Sequence, residues 1–184
     1  MKRIFIAVKT EPGPELQKTL ATFRSVLGGE RIKWADPVNI HLTLAFLGDT
    51  EEGRIKPLSG MLKERCRDFG KFSFQLKETG VFKSLRDPRV IWIGIESSDK
   101  LNKLNEQIVA GLKETGFQLE ERLFRPHITI GRIKSLKDAD NLKTLISRYA
   151  DKMIQKVDVN EVILYESILM PAGPLYKPLG KFAL

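Results

Sequence analysis

NIHLTLAFLGD at residues 39–49 and RPHITIGRI at residues 125–133 are two stretches of one pattern, and the fold is read outward from them. The chain has two histidines. Both stand in His-x-Thr-x, as His41-Leu42-Thr43-Leu44 and His127-Ile128-Thr129-Ile130. The β-branched and aromatic residues, alternating with polar ones, predict a strand in each stretch. Residues two apart in a strand share a face. His41 therefore sides with Thr43, and His127 with Thr129, while Leu42, Leu44, Ile128 and Ile130 form an apolar opposite face. Strict alternation adds Asn39 and Arg125 at one end of the polar face. It adds Ala45 and Gly131 at the other, small residues that leave room for a ligand.

The two copies stand 86 residues apart, close to half of the 184-residue chain, and each is followed by a predicted helix. The echo implies two similar lobes related by a pseudo-two-fold axis, each lending one strand to a shared cleft. The remaining punctuation fits. Strands are predicted over 4–8, 71–82, 89–96 and 123–133, then a long, bent one over 154–169 with a last strand over 174–182 paired to it. Helices are predicted over 12–27, 51–67, 100–114 with Asp99 as N-cap, and 138–149, from apolar spacing with Pro, Asp and Gly at their ends. Strands and helices mix without regular alternation, which gives an α+β class with mainly antiparallel sheets and helices on the outer faces. No low-complexity linker divides the chain, so residues 1–184 read as one domain of two interleaved lobes.

A histidine in a strand is more often structural or exposed than catalytic. Here one pattern absorbs both histidines at half-chain spacing, and that favours chemistry. Imidazole takes or gives a proton near neutrality. Hydrolysis of a cyclic phosphodiester needs both acts, on opposite sides of phosphorus, because attacking and leaving oxygens lie in line. The threonine hydroxyls are placed to donate to non-bridging phosphate oxygens. Arg132 falls on the far face by strict alternation; a bulge after Gly131 would turn it toward the phosphate, and otherwise it is an exposed strand-end cation. Arg125 shares the histidine face by parity and is a second candidate phosphate contact, or else a rim ion pair. Phe46, Trp34 and Trp92 could stack on a base, but core packing is the preferred reading for all three.

The paired motif, together with FIAVK at 5–9, NIHLTLAFLGD, VFKSLRDPRVIWIGIE at 81–96 and RLFRPHITIGRIK at 122–134, resembles the two-histidine phosphoesterase superfamily over essentially the whole chain. Within it the chain resembles the RNA 2′,3′-cyclic phosphodiesterases once called 2′–5′ RNA ligases, the LigT or ThpR family. The resemblance implies a bilobal fold with both motifs lining a central cleft. It implies His41 as proton donor to the leaving 3′ oxygen, His127 as the proton acceptor that activates water, and a 2′-phosphate product. Near-symmetry leaves the donor and acceptor labels open to physical argument. The expected partner is RNA ending in a 2′,3′-cyclic phosphate, with tRNA halves as one candidate. Neither cofactor nor metal is expected. Alternatives are 2′–5′ ligation of RNA halves, hydrolysis of small cyclic nucleotides or 2′–5′ oligonucleotides, and a non-catalytic RNA-binding module.

Composition sets the outer limits. A formal net charge of +8 favours polyanions, though it also suits plain solubility. No apolar run approaches a membrane span, and the N-terminal run is too short for a signal peptide. No P-loop, dinucleotide fingerprint or zinc spacing is found. Cys66 is the one cysteine, so no internal disulfide forms; it is read as structural, and a reducing cytoplasm and a monomer are expected.

Overall fold

The computed structural model describes residues 1–96, 98–119, 123–171 and 173–184. Among them run β1 (Lys2–Lys9), α1 (Pro14–Val26), β2 (Arg31–Trp34), β3 (His41–Thr50), α2 (Ile55–Cys66), β4 (Phe72–Lys83), β5 (Pro88–Ile95), α3 (Asp99–Glu114), β6 (His127–Ser135), α4 (Ala139–Arg148), β7 (Met153–Val159), β8 (Glu161–Met170) and β9 (Gly173–Ala183). The class is α+β, with antiparallel pairing throughout the order β7-β4-β5-β6-β3-β1-β8-β9 and β2 attached to β6. No helix is long and apolar enough to cross a membrane, among the described residues.

Two four-stranded lobes meet in the middle of that order, β3-β1-β8-β9 on one side and β6-β5-β4-β7 on the other. They are joined at a single register pair, Leu42 opposite Ile128. The helices cover the apolar back. Leu16, Leu20 and Phe23 on α1, and Leu101, Leu104, Ile108 and Leu112 on α3, are buried at helical spacing against the strand residues Ile4, Ile6, Leu42, Ile93 and Ile128. The lobes exchange cover. α1 follows β1 but packs on β7 of the other lobe, and α3 follows β5 but packs on β3. α2 and α4 stay with their own lobes, against β8–β9 and β4.

Three expectations need correction. The bent strand over 154–169 is two strands, β7 and β8, parted at Asn160 and lodged in different lobes. β2 was missed; four residues with alternating exposure give too short a run to read. α3 is capped by Ser98, whose side chain accepts from the Leu101 N–H, so Asp99 is the first helical residue rather than the cap.

Both motif strands carry a bulge just past the threonine. On β3, Thr43 faces Ala7 and Ala45 faces Ile6, so Leu44 has no partner on β1. On β6, Thr129 faces Trp92 and Gly131 faces Ile91, so Ile130 has no partner on β5. An extra residue flips the alternation beyond it. The carbonyls at both bulges are met from elsewhere. The Asn105 side chain, 6% exposed on α3, donates to the Leu44 carbonyl at 2.8 Å, and the Ala35 N–H donates to the Ile130 carbonyl at 2.9 Å. Asn105→Ala would strand the Leu44 carbonyl in hydrocarbon. A loss of about 1–3 kcal/mol is expected in urea unfolding, with the exposed Lys103→Ala within about 0.5 kcal/mol of the parent.

Candidate active site

The register around Leu42 and Ile128 dictates the site. Both side chains are buried on the helix side, so their neighbours His41, Thr43, His127 and Thr129 emerge on the open side. Antiparallel pairing sets His41 beside Thr129 and Thr43 beside His127, with the histidines on a diagonal. In a regular ladder, diagonal neighbours stand roughly 7–8 Å apart, a span that admits a phosphate between the rings. All four side chains line one cavity of about 820 Å3.

Each imidazole is held in the same way. His41 Nδ1–H donates to the Asn39 carbonyl at 2.6 Å, and His127 Nδ1–H donates to the Arg125 carbonyl at 2.7 Å. A carbonyl only accepts, so Nδ1 carries the proton in both neutral rings and Nε2 is left for the cleft. Burial pushes the His41 imidazole below its ordinary 6.5; the Asn39 carbonyl works against this, and the charges of His127 and Arg132 add to it. Burial likewise lowers His127, opposed by the Arg125 carbonyl and assisted by Arg132.

The bulges decide what else enters. Phe46 stands five residues past His41 and Arg132 five past His127, and both are turned into the cavity. The β6 irregularity lies at Ile130, one step before the expected position after Gly131. The core packing preferred for Phe46 does not hold; the β3 bulge leaves it 52% exposed on the cavity wall, with the Arg3 guanidinium 5.0 Å from its ring centre. Ala45 and Gly131 do not open the cleft. Ala45 is buried, and Gly131 is small because a Cβ there would meet the Trp34 ring and Ile32 at 3.0 Å.

Arg125 is exposed, and the cavity lining among the described residues does not include its side chain. Its contribution to the site is the carbonyl that holds His127. Trp34 both packs on the core and lines the cavity, whereas Trp92 lies tilted against Phe82 and over Gly80, where a Cβ would lie 2.3 Å from the indole. Cys66 is fully buried, its thiol pushed up to about 11 by burial, as a structural cysteine should be. Sequence reasoning missed Arg3, Lys33 and Tyr176, which line the cavity from β1, β2 and β9. Arg3 and Tyr176 lie on strands brought in from the chain ends, and no local pattern ties them to the histidines.

The profile of the 2′–5′ RNA ligase superfamily matches residues 4–167. A Thermotoga maritima protein named RNA 2′,3′-cyclic phosphodiesterase is 36% identical, over 96% of this chain and 92% of its own. A protein of the same name from Methanothermobacter thermautotrophicus is 31% identical over 99% and 98%. Among solved structures, TT0787 of Thermus thermophilus superposes with a TM-score of 0.81 at 27% identity, covering 99% of this chain and 97% of that one. Escherichia coli LigT complexed with 3′-AMP shares the fold, with a TM-score of 0.74 at 24% identity over 100% and 98%.

The two imidazoles titrate below their unfolded value, so the unfolded chain binds protons first as the pH falls. Their contribution to stability is whole above about pH 6.5 and is lost as the pH drops through the depressed folded values. Proton NMR should give two histidine midpoints, both below 6.5, and a His41→Gln His127→Gln double variant should lose part of the fall in melting temperature that the parent shows below pH 6.5.

Proposed function

The chain belongs to the 2′–5′ RNA ligase superfamily, and on that footing we propose that it hydrolyses RNA 2′,3′-cyclic phosphodiester ends to 2′-phosphomonoesters by metal-independent general acid–base catalysis. The observation that carries this reading is the cavity itself: two imidazoles, each held at Nδ1 and with Nε2 free among the described residues, and two threonine hydroxyls on one wall. The names of the Thermotoga and Methanothermobacter relatives supply the substrate class.

In the proposed reaction, water attacks phosphorus opposite the bond to the ribose 3′ oxygen. Neutral His127 takes the water proton at Nε2, while His41 in its imidazolium form, protonated at both ring nitrogens, gives its Nε2 proton to the departing 3′ oxygen, leaving the phosphate on the 2′ oxygen. These labels follow the family pattern. Thr43 and Thr129 donate to the non-bridging oxygens, and the Arg132 charge meets the negative charge they carry. Arg125 is left with a structural task. Phe46 and Trp34 offer aromatic faces at the cleft wall to an RNA base. With an RNA 5′-hydroxyl replacing water, the same pair would join two ends, tRNA halves among the candidates; water is the more abundant nucleophile. Neither proton transfer asks for a metal, and a monomer of the cytoplasm suffices for both.

The test uses RNA ending in 2′,3′-cyclic phosphate, in EDTA. A 2′-phosphate should appear at an unchanged rate. His41→Ala and His127→Ala should each lower kcat by about 10²–10⁴ with melting temperature preserved at pH 8, and the rate should trace a bell against pH. Activity that survives both substitutions, or that EDTA abolishes, overturns the reading.

A further inference from the structure

The two histidines are related by symmetry, but their surroundings are not. Among the described residues His127 meets one aromatic ring, Phe82, near-perpendicular at 4.6 Å between ring centres and 86°. Its carbonyl partner Arg125 sits in an exposed segment outside any strand. His41 is enclosed. Phe5 lies at 5.0 Å and 37°, and Tyr176 stands near-perpendicular to it at 5.2 Å and 89°. Phe5 and Tyr176 touch each other at 4.9 Å, and Tyr165 stacks on Phe5 at 5.3 Å. These rings belong to a small second core of Phe5, Ala7, Ile163 and Tyr165 with Tyr176 against it, on the open side of the sheet.

A second tie comes from the same strand. The Asn39 side chain donates to the Pro174 carbonyl at 2.9 Å, while the Asn39 carbonyl accepts from His41. Pro174 and Tyr176 are two apart on β9, so the final strand grips the His41 segment at two neighbouring points. Resting on the acid–base reading above, we propose that Tyr176 is a positioning residue for His41: with the Asn39–Pro174 bond it forms a clamp from β9 that fixes the imidazole plane and keeps water off its inner face, a clamp that has no counterpart at His127 among the described residues.

The purpose is geometric. An acid works only if Nε2 lies in line with the departing oxygen, and small displacements cost large factors in rate. The titratable and charged groups that line the cavity with His41 or neighbour it, among the described residues, are Arg3 and the cross-strand Lys9 on β1, Lys33 on β2, Asp36 before β3, His127 and Arg132 on β6, Tyr165 on β8 and Tyr176 on β9. Replacing Tyr176 leaves the charges of the others in place, so any change at His41 reports on packing and hydration.

Because the chain has two histidines, proton NMR shows two imidazole titrations, assigned with His41→Gln and His127→Gln. Tyr176→Ala should raise the His41 midpoint and leave that of His127 in place. It should lower kcat on RNA with a cyclic phosphate end by about ten- to a hundredfold, with KM within about threefold and the matching limb of the pH–rate profile displaced. Tyr176→Phe should restore both. If Tyr176→Ala unfolds, Asn39→Ala removes the other half of the clamp and should shift the same single resonance. An unmoved His41 midpoint in the folded variant, equal movement of both histidines, or a Tyr176→Phe as impaired as Tyr176→Ala overturns the proposal. A parent protein inactive on the RNA would instead sink the proposed function, while the titrations still decide the clamp.

Discussion

Leu42 pairs with Ile128, and that one register pair between β3 and β6 sets the geometry of the cleft around it. Because the strands run antiparallel, it brings two copies of one motif together head to tail, with unlike side chains adjacent and like ones diagonal. Because both residues point into the core, their neighbours have only the open face to occupy. A slip of one residue would bury both histidines against the helices and turn leucine and isoleucine outward. The hydrophobic core therefore enforces the register, and the register in turn arranges the polar groups.

The paired bulges do the rest. Each inserts one residue after the threonine, so an apolar-looking alternation is broken at the same point in both lobes, and the fifth residue past the histidine enters the cavity. The outcome differs between lobes: an aromatic ring from one, a guanidinium from the other. Each bulge also removes a carbonyl from the strand ladder. The fold answers with Asn105 in one lobe and the Ala35 backbone in the other. Asn105 is thus the polar residue on an otherwise apolar helix face because a strand defect lies beneath it.

What could be read from sequence was what obeys short periods. The sharing of a face by His41 and Thr43, and by His127 and Thr129, needs only strand parity, and so does the apolar backing of Leu42 and Ile128. Half-chain spacing conveyed the two-lobed plan. Parity failed where the strands bulge, which is why Phe46 lines the cavity and Ala45 and Gly131 do not open it. It could not reveal that Arg3 or Tyr176 joins the site, since that depends on β1 lying between β3 and β8. Nor could it divide β7 from β8, because one asparagine between two apolar runs does not say that the chain changes lobes there. The tethers to Asn39 and Arg125 were invisible for another reason: they use backbone carbonyls, which every residue has.

The exchange of helices between lobes, and the seat of β1 beside β8, also bear on how the molecule is made. Ile4 pairs with Glu166 and Phe5 with Tyr165, so β1 finds its outer neighbour only after about 160 further residues have been synthesised. At ordinary synthesis rates that wait is on the order of ten to thirty seconds. Throughout it, one edge of β1 has no native cover, and α1 waits for most of it on β7. The nascent chain must therefore be sheltered or tolerant of delay, and the β8–β9 hairpin, made long after β1, is the piece that completes the pocket.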